Sequence, residues 1–143
     1  MRVVERTVPE SEPLQGVSPL LDRIYRARGI THSDHLDHSL KRLLPISSLK
    51  NVEQAAAIVA TSIRNRESIV VVADYDADGA TACSVCMRGL CAMGANIHYV
   101  VPDRKKHGYG LSPQVVELTL PYAPQLLITV DNGISSIEGV AAA

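Results

Sequence analysis

The chain has no tryptophan and no phenylalanine; its aromatic rings are five tyrosines. A core must therefore be assembled from Val, Leu, Ile and Ala. No apolar run approaches the roughly 18 residues of a membrane-crossing helix, so no segment reads as a membrane span. The opening Met1-Arg2-Val3-Val4-Glu5-Arg6 is too polar for a signal peptide, and the cytoplasm is the expected location. Cysteine is scarce. Cys83, Cys86 and Cys91 are odd in number and tightly clustered, which argues against a disulfide framework and for reduced thiols. Neither sign of charge dominates: 14 Lys and Arg face 15 Asp and Glu, for a net charge of −1. A nucleic-acid role would need a local basic patch. Internal repeats and low-complexity tracts are absent.

What remains is an ordinary globular composition, 46% hydrophobic and 20% charged over 143 residues. That length suits one domain burying roughly 68–70% of its unfolded surface. Residues 1–16, with Pro9, Pro13 and Gly16, read as a flexible arm. Residues 17–66 read as an N-terminal helical section. Ser18-Pro19 has cap and first-turn chemistry; Leu20, Leu21, Ile24 and Tyr25 share a face, and Gly29 ends the helix. A short helix is expected over about Thr31 to Leu40. A third starts near Asn51, with Asn51 and Gln54 at capping-box spacing and Val52, Ala55, Ala56, Val59 and Ile63 as its stripe. Arg23, Arg26 and Arg28 are explained by a solvent-facing stripe.

From residue 67 to 143 the pattern changes. Ile69-Val70-Val71-Val72-Ala73 is the continuous β-branched run of a strand buried on both faces. A helix follows to Met93 and Gly94, then a strand from Asn96 stopped by Pro102. A helix opens at Ser112-Pro113 with Val115, Val116 and Leu118. A third strand spans Gln125 to Val130, and a last short helix follows Gly133. Strands alternating with helices through short links imply parallel pairing. The fold class is α/β: a helical N-terminal section, then the first part of a doubly wound, mainly parallel sheet. Three strands leave two edges, so the chain is expected to be the front part of a larger domain.

Ligands of such sheets bind beyond the carboxyl ends of the strands. Asp74, Asp76 and Asp78 follow the first strand and Asp131 the third. If those strands are neighbours, Asp74, Asp76 and Asp131 can converge. Clustered carboxylates repel unless a cation offsets them, and all-oxygen ligation favours Mg²⁺ or Mn²⁺. Such an ion can lower the pKa of bound water and neutralise a phosphoryl oxygen. For Asp131 alone, an Asp-Asn-Gly turn leaving a strand stays an open alternative; three aspartates in five residues favour a site. Asp74-x-Asp76-x-Asp78-Gly79 also matches the start of an EF-hand loop. However, its twelfth position is Val85 rather than Glu, and it follows a strand. A haloacid-dehalogenase-type phosphatase is a weaker alternative, because its threonine position is Asp78. Cys83-x-x-Cys86 lies too deep in the helix for a redox dithiol and lacks a second pair for zinc; small core residues fit better. Arg104-Lys105-Lys106-His107, followed by Gly108-Tyr109-Gly110, combines cations with an aromatic face, as single-strand sites do. On these residues alone a solvated charged loop is the stronger reading.

Three stretches together resemble the DHH phosphoesterase superfamily, and within it the RecJ-type single-strand-specific 5′→3′ exonucleases. They are Val71 to Thr81 around Asp74-Tyr75-Asp76-Ala77-Asp78-Gly79, Val101-Pro102-Asp103-Arg104 with Gly108-Tyr109-Gly110-Leu111-Ser112, and Thr129-Val130-Asp131-Asn132-Gly133-Ile134-Ser135. Leu20-Leu21-x-x-Ile24-Tyr25-x-x-Arg28-Gly29 is similar as well. The resemblance implies a two-metal centre with Mn²⁺ or Mg²⁺ that hydrolyses the backbone of single-stranded DNA by a metal-activated water, in recombination and repair. It assigns Asp74, Asp76 and Asp131 as metal ligands and catalytic residues, with Asp78, the third acidic position, in a supporting catalytic role. Arg104, Lys105, Gly108, Tyr109 and Gly133 become substrate contacts, and helix N-termini after Gly79 and Gly133 are expected to help hold phosphate. Single-stranded-DNA-binding protein and a repair helicase are the implied protein partners. Another DHH-type phosphoesterase acting on oligonucleotides or small phosphoesters, or a non-catalytic remnant that binds nucleic acid or a partner, are the alternatives. The Asp-His-His element that names the superfamily does not occur in the sequence. Residues 67–143 are therefore expected to be the truncated start of the phosphoesterase domain, inactive alone.

Overall fold

In a computed structural model of the chain, which describes Val4 and residues 6–143, the β-branched run becomes the middle strand of a sheet. Strand β1 (Ser68–Ala73) lies between β2 (Asn96–Val100) and β3 (Leu126–Val130). Both pairings are parallel, with Val72 level with Val100 and Thr129. All of β1 is buried, while the flanking strands are at most half-buried. A central strand covered on both faces needs an uninterrupted apolar sequence, and an edge strand does not.

The helices are α1 (Pro19–Arg26), α2 (Val52–Arg64), α3 (Ala77–Ala92), α4 (Arg104–His107), α5 (Pro113–Glu117) and α6 (Ile137–Ala142). They divide between two compact units, residues 1–49 and residues 50–143. Helix α2, read from sequence as part of an N-terminal section, belongs to the unit that holds the sheet.

In the sheet unit, alternate β1 side chains serve opposite faces. Val72 packs with Leu111, Val115, Val116 and Leu127. Val71 and Ala73 pack with Cys83, Cys86, Met87, Ile97 and Ile128. Cys83 and Cys86 are thus core thiols, and burial pushes both up from the usual range. Burying one Val or Ile side chain contributes about 1.5–3 kcal/mol, so this cluster sets the stability of the platform. At its far end Ser68 ties β1 to the segment leading into β3: its N–H donates to Gln125 Oε1 at 2.7 Å, and its hydroxyl donates to the Tyr122 carbonyl at 2.8 Å. Helix α2 departs from expectation at its start. Asn51 takes a left-handed φ of 60° and makes no side-chain cap, so the Asn51/Gln54 capping box does not form. Ala55 and Ala56 are exposed, and Ser62 is the buried residue of α2.

In the unit of residues 1–49, Ser18 caps α1 through its hydroxyl, with Pro19 in the first turn. Leu14 is buried, its N–H bonded to Asp22 Oδ1 at 2.7 Å. Arg26 binds the Pro9 carbonyl, Ser11 Oγ and Asp22. It is therefore no part of a solvent stripe, whereas Leu20, Leu21 and Ile24 are exposed. The helix expected over Thr31 to Leu40 is instead two 3₁₀ turns, Ser33–Leu36 and Leu40–Arg42. Local side chains compete with helical hydrogen bonds here. The Ser39 N–H donates to Asp37 Oδ1 at 2.9 Å, and the Asp34 N–H donates to His32 Nδ1 at 3.2 Å.

Candidate metal centre

Parallel pairing of β1 with β3 brings both strands' carboxyl ends to one end of the sheet, where the two acidic loops begin. Asp74 leaves β1 and is 7% exposed; its Oδ1 accepts from the Tyr75 N–H at 2.8 Å. Asp76 caps α3, its carboxylate accepting from the Gly79 N–H at 3.2 Å. The turn needs glycine at 79, because a Cβ there would overlap the Asp74 carbonyl. Asp131 leaves β3 at a φ of 60°. Asn132 Nδ2 spans the two strand ends, donating to the Val130 carbonyl at 3.1 Å and the Val72 carbonyl at 3.3 Å. Gly133 follows at a φ of 104°, hard against Thr129.

Asp74, Asp76 and Asp131 each present an oxygen within 4.8 Å of the others. The convergence expected from strand adjacency is therefore present. Asp78, on the first turn of α3, is outside this group and reaches Asp131 only through its charge.

Arg104, the first residue of α4, reaches into the acidic group. Its Nε donates to Asp74 Oδ1 at 3.0 Å; its Nη2 donates to the other Asp74 oxygen and, at 3.2 Å, to Asp76 Oδ2. The guanidinium carbon lies 4.4 Å from the Tyr75 ring centre and 5.0 Å from that of Tyr109. The Tyr109 hydroxyl donates to the Asp131 carbonyl at 3.2 Å. Arg104 holds the Asp74 carboxyl below the usual carboxylate range against the effect of burial, and Asp74 in turn raises Arg104. Asp131 behaves oppositely. Desolvation, then the charges of Asp76 and Asp78, push its carboxyl up, and no cationic side chain pairs with it among the described residues.

The other sequence-selected residues lie around this group. Lys105 is exposed, Gly108 ends α4, and Lys106 stands 3.9 Å from Asp103. The helix N-termini do not fall where expected. α3 begins at Ala77, ahead of Gly79, and its Gly79 N–H is taken by Asp76. α6 begins only at Ile137, because residues 134–136 form a turn after Gly133. Two contributors escaped the sequence reading as site residues. Tyr75 stacks on Arg104, and only its place between two aspartates hinted at it. Asn132 clamps the strand ends; its Asn-Gly pair signalled a turn but not the reach to β1.

Residues 68–143 match the family described as "DHH family, N-terminal domain". The single-stranded-DNA-specific exonuclease RecJ of Salmonella typhimurium is 45% identical over 124 residues, covering 86% of this chain and 22% of the relative. Its counterpart from Escherichia coli is 43% identical over 137 residues, covering 94% and 24%. Among solved structures, exonuclease RecJ bound to manganese superposes with a TM-score of 0.59 at 39% identity, over 65% of this chain and 24% of that one. RecJ from Thermus thermophilus in complex with Mn²⁺ gives 0.53 at 30% identity, over 86% and 19%. The chain spans about a quarter of the length of the curated relatives it matches. With more than half of its residues matching the family and its sheet superposing on solved members, this chain belongs to the DHH family.

Proposed function

We propose that this chain carries the carboxylate half of a Mn²⁺ or Mg²⁺ centre for hydrolysing phosphodiester bonds in single-stranded DNA, from the 5′ end, in recombination and repair. The observation that carries this reading is the convergence of Asp74, Asp76 and Asp131 within 4.8 Å. The donor set fits a hard divalent cation: three carboxylates, all oxygen, at a strand end. Beyond desolvation, the charges of Asp76, Asp78 and Asp74 add to the upward push on Asp131, and that repulsion is what a bound cation would relieve. Such an ion, when bound, supplies a water of lowered pKa and neutralises charge on the phosphoryl group.

The chain's own residues hold and orient the rest. Asp78 adds negative charge beside Asp131 as a supporting acid. Arg104 and Lys105 contact phosphate, Tyr109 offers a stacking face 64% exposed, and Gly108 and Gly133 let backbone approach the strand. The curated relatives bear the name single-stranded-DNA-specific exonuclease, which supports DNA as substrate here. A cytoplasmic setting, and single-stranded-DNA-binding protein and a repair helicase as partners, belong to the same reading. Among the described residues no helix is long and apolar enough to cross a membrane.

By itself the 143-residue chain is proposed to be inactive. Its converging group holds no histidine, and no Asp-His-His completes it. Incubating the purified chain with Mn²⁺ and end-labelled single-stranded DNA tests both parts. Mn²⁺ binding without nucleotide release is expected. Robust degradation would overturn the inactivity, and failure to bind Mn²⁺ would overturn the centre.

A further inference from the structure

Arg104 is the cation that the fold itself supplies to the acidic group. It engages both oxygens of Asp74 and one of Asp76. Those two residues, with Asp131, are the ones that would hold a metal. A guanidinium carries a permanent positive charge and donors only, so it and a divalent cation repel one another and compete for the negative charge of these oxygens. Yet Arg104 does not depend on the carboxylates alone. The rings of Tyr75 and Tyr109 lie 4.4 Å and 5.0 Å from its guanidinium carbon, and cation–π attraction persists without an ion pair. Tyr109 is fixed through its hydroxyl on the Asp131 carbonyl. The Arg104 side chain is 36% exposed, so its donors need no passage through the core to face solvent.

We propose that Arg104 is the resident counter-cation of the unloaded centre: it yields Asp74 and Asp76 to a divalent cation and stays beside Tyr75 and Tyr109 with its donors free for a phosphate. This rests on the reading of Asp74, Asp76 and Asp131 as a cation site. The consequence is coupling. Without the cation, the arginine is neutralised by Asp74 and is a weak phosphate ligand; with it, the arginine is released. By reciprocity, a phosphate that holds Arg104 away from the carboxylates tightens cation binding by the same factor.

The test uses the full chain. Mn²⁺ binding is measured by electron paramagnetic resonance for the wild type, Arg104→Gln and Lys106→Gln. Both variants lose one positive charge, but Lys106 pairs with Asp103 outside the acidic group. Arg104→Gln is expected to bind Mn²⁺ at least about 5-fold more tightly than wild type, with Lys106→Gln nearly unchanged. Independently, the Arg104 Nε–H resonance of the wild type should move on titration with diamagnetic Mg²⁺, saturating as the ion binds. Equal Mn²⁺ affinity in wild type and Arg104→Gln overturns the proposal and leaves the cation site standing. So does equal tightening in both variants, or an Arg104 resonance unmoved at saturating Mg²⁺. No binding in any of the three proteins overturns the proposal and the cation site together.

Discussion

Two loops leave the same end of the sheet from neighbouring strands, and they hold their carboxylates in opposite ways. The loop after β1 anchors Asp74 by burial, by the Tyr75 N–H and by Arg104, and it fixes Asp76 as the cap of α3. The loop after β3 presents Asp131 exposed, in a left-handed conformation, with neighbouring carboxylates and no cationic partner among the described residues. One carboxylate is satisfied by the chain, and the other is left with uncompensated repulsion. Strand ends alone therefore do not determine the electrostatics of a site. What differs is whether a cation within the chain reaches the loop, and that asymmetry marks where an external cation gains most.

The comparison can be broken on the β1 side by Gly79→Ala. The added methyl overlaps the Asp74 carbonyl, and backbone rather than a side chain must move, so a loss of about 3 kcal/mol is expected in urea unfolding. On the β3 side Gly133→Ala should cost less, about 1–2 kcal/mol, from the left-handed backbone and contact with Thr129. Adding Thr129→Ala should recover the contact part and leave the backbone part. A reversed order of the two glycine effects would mean that the β3 loop is the more constrained.

Asn132→Ala should cost about 1 kcal/mol, leaving two strand-end carbonyls without their donor. It should also weaken Mn²⁺ binding, by loosening Asp131 relative to Asp74. A variant with unchanged stability and affinity would show that the clamp is dispensable.

The smallest effect sharpens the contrast through pH, in metal-free protein. The Asp74 carboxyl is lowered, chiefly by Arg104. Its ionised form therefore contributes stability above the ordinary carboxylate range, lost as pH falls through the lowered value. The Asp131 carboxyl is raised, chiefly by desolvation. Its ionisation therefore costs stability at neutral pH, a cost that disappears as pH falls through the raised value. Carboxyl ¹³C resonances should show Asp131 taking up its proton before Asp74 as pH falls. The opposite order would contradict the pairing of Arg104 with Asp74.

Much of the platform could be read from sequence because its causes are local. The run Ile69 to Ala73 is apolar at every position because β1 is covered on both faces, and Ser18-Pro19 and Ser112-Pro113 carry their own cap chemistry. Structure departs from sequence pattern where two local preferences compete. His32 caps the first 3₁₀ turn, and Asp37 captures the Ser39 N–H between that turn and the next, in place of the expected helix. Asn51 adopts the left-handed conformation its side chain tolerates instead of capping. For the site, Asp74, Asp76 and Asp131 could be placed together once the strands were taken as neighbours. The position of Arg104 could not, since it depends on a contact with a residue 30 positions earlier. Neither could the reach of Asn132 across to Val72, a separation of 60 residues.

The central claim is that Asp131 completes a cation site with Asp74 and Asp76. Its most direct test is calorimetric titration of Mn²⁺ into the wild-type chain and Asp131→Asn at neutral pH, with thermal unfolding of both proteins free of metal. Asp131→Asn should lose at least about 10-fold in Mn²⁺ affinity through the missing ligand charge, while its metal-free form unfolds at a higher temperature than wild type because the desolvated charge and its repulsion are gone. Equal Mn²⁺ affinity in the two proteins would contradict the account.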